Sequence, residues 1–285
     1  MIQEILKEDL AISNEVCEIT SKIKQKTSYN YSLHMNDKDF YSKLNINDKV
    51  AINVFVDGFI ISYGEFKIKI YIRVLDNCSE YYNAYLKAYD SFYSFDHNLI
   101  TLFLTSKNGK IEWNKHSSSL QHEVEHFYQA NLRNKPYLSS DINNKETIKY
   151  NRFIDMLKSK DFYLKKIGLV FYLSYKYERD AYINGLYEKI MEINSEGYIQ
   201  EPIKILKNYQ PYIRINNLKK FLEIIESNSK KKIELLEKLN NENIDYKTFL
   251  NKANWVIKEY IRRFAKVIYK SKKDIMSKFP PKKPF

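Results

Sequence analysis

Apolar residues Ile5, Ile12, Val16, Ile19 and Ile23 recur at steps of three, four and seven, the spacing of an amphipathic first helix that packs on whatever follows it. Two β-branched and aromatic runs come next, at 49–59 and 65–75. In the second, Phe66, Ile68, Ile70 and Ile72 alternate with Lys67, Lys69, Tyr71 and Arg73, which predicts a half-exposed strand. Tyr82, Tyr85, Tyr89 and Phe92 then return to helical spacing behind a capping Ser79, predicting a helix over about 79–95 that lies on the sheet. A strand at 98–106 and Asn108-Gly109, a strong hairpin signal, lead into a short strand at 110–113. Ser118 and Gln121 have the spacing of a capping box, so a helix is expected from there to about Asn131.

After a polar loop around Pro136 to Lys145 the pattern is helical throughout. Helices are expected at 146–160, 162–193, 214–227, 229–240 and 246–274, and the proline-rich end FPPKKPF is expected to be flexible. With only 6 Gly and 6 Pro in 285 residues, a helix-rich α+β chain is expected, in which a small mixed sheet is packed on helices and a helical C-terminal region follows. The organisation read from this pattern is an N-terminal helical segment (1–48), a central domain (49–200), a helical subdomain (201–274) and a basic, proline-rich tail (275–285).

Charge and cysteine content narrow the setting. Net charge is +12, and the segment from Tyr246 to Phe285 holds 12 basic residues against Glu259 and Asp274, 12 − 2 = +10. The basic balance is therefore local to the C-terminal end, where an apolar stripe of Phe249, Trp255, Val256, Tyr260, Phe264, Val267 and Ile268 reads as a docked helix with a solvated cationic face, or one that associates with an acidic partner, nucleic acid or an anionic surface, and not as part of bond cleavage. Cys17 and Cys78 are too few and too far apart for a disulfide framework or a cysteine zinc site, and both are expected to be buried thiols. No apolar run reaches the ~20 residues that cross a bilayer, and acids interrupt the first 24 residues, so a cytoplasmic setting is expected. The Lys, Asn, Ile and Tyr bias suggests an AT-rich genome, bacterial or viral.

Residues 119–129, SLQHEVEHFYQ, carry the most specific chemistry. On a helix His122 and His126 project within ~40° of each other and Glu123 stands ~60° from His126, so two imidazoles can grip one ion beside a carboxylate. A chain with five His meets His-Glu-x-x-His by chance in roughly one case in a hundred or fewer, which sets the motif apart from two surface histidines on a charged helix. Leu120, Val124 and Phe127 add an apolar stripe that buries this helix, and a buried His, Glu and His need partners.

A third ligand has to come from elsewhere. His116, His34 and His97 have no second metal-like residue at useful spacing and read as surface or turn histidines. Glu178 is the better candidate, because Ser174, Tyr175, Glu178, Ala181, Tyr182 and Gly185 share one helical face on which small residues would let another helix approach. Its competing role is an ion pair with Arg179 or a nearby Lys, and Asp180, about 160° away, is the weaker alternative ligand.

A His-Glu-x-x-His helix followed by a Glu-x-x-Ala helix resembles the gluzincin type of zincin metallopeptidase, including the minimal gluzincins, over residues 50–193. The resemblance implies Zn2+ held by His122, His126 and Glu178, Glu123 as general base, and an upstream strand, 98–105, that pairs with an extended polypeptide substrate. Many gluzincins have an Asp one turn after the ligand Glu; here it is Tyr182, whose hydroxyl could orient an imidazole or act as the oxyanion donor. Three functions therefore compete: a zinc metallopeptidase, a zincin-shaped scaffold without catalysis, and a basic nucleic-acid- or assembly-binding helical protein in which the motif is incidental.

Overall fold

A computed structural model describes residues 14–36, 54–76, 91–94, 97–131, 145–195 and 200–278. It is a mixed α+β protein with a small mixed sheet and a series of C-terminal helices. The chain divides into two compact units, one of Ala11–Pro136 and one of Met1–Leu10 with Tyr137–Phe285.

In the first unit, α1 (Asn14–Asn36) precedes β1 (Val54–Tyr63) and β2 (Phe66–Asp76), an antiparallel pair turned at Gly64, whose φ of 57° suits a residue without Cβ. β4 (Leu99–Lys107) lies parallel to β2, and its other side carries β3 (Phe92–Ser94) at one end and β5 (Lys110–Ile111) at the other. Asn108 and Gly109, with φ of 52° and 72°, form the expected tight turn, because a twisted two-residue hairpin needs positive φ at both positions. Ile68, Ile70, Ile72 and Val74 of β2 and Ile100, Leu102 and Leu104 of β4 are buried in one core cluster. Val16, Ile19 and Ile23 of α1 and Leu120, Val124 and Phe127 of α2 (Trp113–Asn131) complete that cluster. Burying each such side chain contributes about 1.5–3 kcal/mol relative to exposure, and a one-residue slip would turn Lys67 and Lys69 inward, so the alternation fixes the register.

Three expectations change here. The helix over 79–95 falls mostly outside the described residues, but its last turn is not helical: Phe92–Ser94 pairs with β4, an edge bond that helical periodicity in tyrosines does not foresee. The helix that carries His122 and His126 starts at Trp113, five residues before Ser118, so Ser118 lies inside it and the capping box does not mark its start. The earlier start has tertiary causes: the Trp113 indole donates to Ser28 Oγ on α1 at 2.9 Å, and the Thr105 amide on β4 donates to His116 Nε2 at 2.9 Å. Cys17 is half-buried and not fully buried, while Cys78 lies outside the described residues.

The second unit is helical: α3 (Lys145–Lys158), α4 (Phe162–Ser174), α5 (Lys176–Ser195), α6 (Pro202–Lys207), α7 (Gln210–Ser227), α8 (Ser229–Asn241) and α9 (Tyr246–Lys278). The helix expected over 162–193 is broken at Tyr175, which is extended at φ −67° and ψ 134°, and Ser174 Oγ bonds back to the Phe171 carbonyl at the break. The expectation that Ser174 and Tyr175 share a helical face with Glu178 fails for that reason. α6 was not foreseen, and α9 extends four residues beyond 274.

α9 is not a detachable basic extension. Phe249, Val256, Tyr260, Phe264, Val267 and Ile275 are buried, and Tyr187 donates to Asp274 at 2.6 Å. Lys258, Lys272 and Lys273 face solvent, whereas Arg263 bonds Asp180 at 2.7 Å and Glu259 at 2.6 Å, and Lys266 is buried. Among the described residues no helix is long and apolar enough to cross a membrane.

Gly168 is where α3 and α4 meet most closely. A Cβ there would come within 2.8 Å of Phe153 O and Met156 Cβ and 2.9 Å of Leu157 N, mostly rigid backbone. Gly168→Ala should therefore destabilise this unit by about 1–3 kcal/mol despite alanine's better helix propensity. An unchanged urea midpoint would show that the two helices can part at no cost.

Candidate metal centre

The centre is built on α2, whose residues from Leu120 to Phe127 are all buried. The sheet-facing side is anchored by apolar packing, with Phe127 edge-on to Phe66 at 6.4 Å and to Tyr93 at 6.1 Å. Thr20 Oγ1 on α1 donates to Gln121 Oε1 at 2.7 Å, holding the helix about its own axis. With that rotation set, the four-residue step brings the rings of His122 and His126 to 4.6 Å between centroids, nearly perpendicular at 86°. Their Nε2 atoms are 3.0 Å apart. Two nitrogens each ~2.0–2.1 Å from one ion at a tetrahedral angle would be about 3.3 Å apart, so the pair is already close to the geometry of a shared ligand site.

Glu123, also buried, follows His122 on the same helix. Glu125, the other acid of the motif, is buried beside Gln129, whose Nε2 donates to its Oε1 at 2.8 Å. His116 is not the turn histidine expected. It is buried within α2, and because its Nε2 accepts the Thr105 amide, the ring carries its proton on Nδ1. Thr105 Oγ1 lies 2.7 Å from the same nitrogen and 2.9 Å from Glu112 Oε2, so these three residues fasten the start of α2 to β4. His34 packs its ring on Phe55 at 4.8 Å, and His97 is exposed.

Glu178 lies in the first turn of α5, only 1% exposed, where the helix dipole favours a carboxylate. The break at Tyr175 is what puts it there. Tyr150 Oη donates to Glu178 Oε1 at 2.6 Å. Burial first, then the negative charge of Glu178, push the Tyr150 hydroxyl far above the usual phenol range, and Tyr172 moves the same way for the same two reasons. Both remain protonated donors at any working pH. Arg179 does not take up Glu178; its guanidinium lies over Trp255 at 5.1 Å and its Nε is 3.9 Å from Glu259. Asp180 is held by Arg263 and is not a ligand candidate. Tyr182 sits against Tyr172, with 3.5 Å between hydroxyls, and its carbonyl accepts from Tyr209 Oη at 2.7 Å.

His122, His126 and Glu178, all three buried, are a group that could hold a metal ion. Two imidazoles and one carboxylate fit an ion that keeps a further position for water. The strand expected to pair with substrate is not an open edge: the Phe103 amide of β4 donates to Ser91 Oγ at 3.3 Å, the Thr105 amide to His116, and β3 and β5 occupy its two ends. Tyr150 and Tyr172, partners of Glu178, were missed by sequence reasoning. Among 25 Tyr nothing local distinguishes these two, since their relation to Glu178 arises only when α3, α4 and α5 pack. No protein-family model, no curated protein and no solved structure matches this chain.

Proposed function

We propose that the chain is a zinc-dependent peptide hydrolase of the zincin type, with His122, His126 and Glu178 holding the ion and Glu123 as general base. The observation that supports this best is the 3.0 Å approach of the two Nε2 atoms on one buried helix, in the same group as a buried carboxylate. Zinc bound there would polarise the scissile carbonyl and lower the pKa of a water to ~7.

Each residue then has its own task. The imidazoles supply neutral nitrogen donors from one rigid helix, so little reorganisation accompanies binding. Glu178 supplies the anion that offsets part of the dication's charge. Glu123 takes the proton of the attacking water and passes it to the leaving amine, which requires reach and no bond to metal. The presence of Glu123 favours hydrolysis over a purely structural site, since a structural site has no use for a base. For Tyr182 the role is that of oxyanion donor, from a hydroxyl that lies 3.5 Å from that of Tyr172.

The test is elemental analysis of protein purified without added metal, followed by digestion of a broad peptide library. One zinc per chain and chelator-sensitive cleavage are expected. Zinc near zero with none bound on titration would end this reading, and stoichiometric zinc without cleavage of any peptide would transfer the site to a scaffold role.

A further inference from the structure

Given the reading of Glu178 as a metal ligand, on which this inference rests, we propose that Tyr150 is its positioning residue: the phenol occupies Oε1 and so presents Oε2 to the ion. The bond is 2.6 Å, in the range of a hydroxyl donating to an ionised carboxylate, and it ties α3 to the first turn of α5. The donor itself is held rigidly. Its ring stacks on Tyr172 at 5.9 Å and 25°, and meets Tyr175 and Tyr177 at 5.3 Å each.

A glutamate has three rotatable bonds to order before it can ligate, and a buried one in a first helical turn gains a defined orientation only from what holds its oxygens. With Oε1 engaged by the Tyr150 hydroxyl, the carboxylate is set as a one-oxygen ligand before the ion arrives. The ion then meets a preformed acceptor, and less ordering is left for binding to bring about. The aromatic packing around Tyr150 thus has a second consequence beyond stability: it sets the affinity of the metal site.

Zinc affinity of the full chain, measured by competition with a chromophoric chelator, tests this directly. Tyr150→Phe keeps the ring and removes the donor, and should weaken zinc binding by about 10–100-fold. A 4-aminophenylalanine placed at position 150 restores a donor and should recover most of that loss. In a Glu178→Ala background the Tyr150→Phe change should have no further effect, because its route to the ion is gone. Melting temperatures of the metal-free proteins separate packing from positioning: a lower melting temperature with unchanged zinc affinity would overturn the proposal, as would equal weakening by both replacements. A wild-type chain that binds no zinc would overturn the metal reading itself, whereas tight wild-type binding with an unaffected Tyr150→Phe variant would overturn only this inference.

Discussion

Replacing Glu123 by Gln should lower peptide hydrolysis by about 10²–10⁴-fold while leaving one zinc per chain in place. The amide has nearly the size and shape of the carboxylate, so the packing of α2, which buries Glu123 on the same helix as both histidines, should survive the change. What the amide cannot do is accept a proton and return it. The two imidazole nitrogens remain 3.0 Å apart whatever occupies position 123, and so zinc content is the internal control. A variant that keeps zinc and cleaves at the wild-type rate would show that Glu123 is not the base. Loss of zinc along with activity would instead make Glu123 part of the ligand set.

His126→Ala should reduce zinc affinity by about 10²–10³-fold, because structural zinc sites bind with ~10–16 kcal/mol shared among four ligands, or ~2.5–4 kcal/mol for each. The substitution also removes stability that the wild type draws from the ion: a ligand bound only to the native state stabilises it by ~2.7 kcal/mol at a hundred times its Kd. The wild type should therefore melt at a lower temperature after chelation, and His126→Ala should melt at one temperature with or without chelator. His116→Ala is the informative contrast. It removes the clamp on Thr105 and should lower the melting temperature with zinc still bound, since that Nε2 already accepts a backbone amide. A His126→Ala protein that retains stoichiometric zinc at wild-type affinity would remove this histidine from the centre.

Much of the first unit was legible because its signals are local. The alternation of Ile68, Ile70 and Ile72 with Lys67 and Lys69 needs only a sheet with one wet face, and Asn108-Gly109 needs only the backbone preferences of two residues. The histidine pair is of the same kind: a four-residue step on any helix brings the rings together, so the geometry followed from the period alone. Where expectation and structure differ, distant residues intervened. Ser118 and Gln121 have the spacing of a helix start, yet Ser28, Thr105 and His116 draw the helix back to Trp113, because bonds made to α1 and β4 outweigh a cap worth about 1 kcal/mol.

The sequence alone determined the elements and the chemistry on offer: alternating strands, apolar helical stripes, a motif with two imidazoles and a base, and a glutamate on a later helix. Its local patterns carry that information because a side chain's direction repeats every two residues in a strand and every 3.6 in a helix. Only the tertiary structure decided which polar groups meet. It broke the 162–193 helix at Tyr175 and so placed Glu178 in a first turn, set Tyr150 against its carboxylate, gave Asp180 to Arg263, and committed His116 to Thr105. Tyr150 and Glu178, like Asp180 and Arg263, come from different helices and lie far apart in the chain. A buried polar group takes whichever partner the packed core leaves within hydrogen-bonding reach, and no period in the sequence encodes that choice.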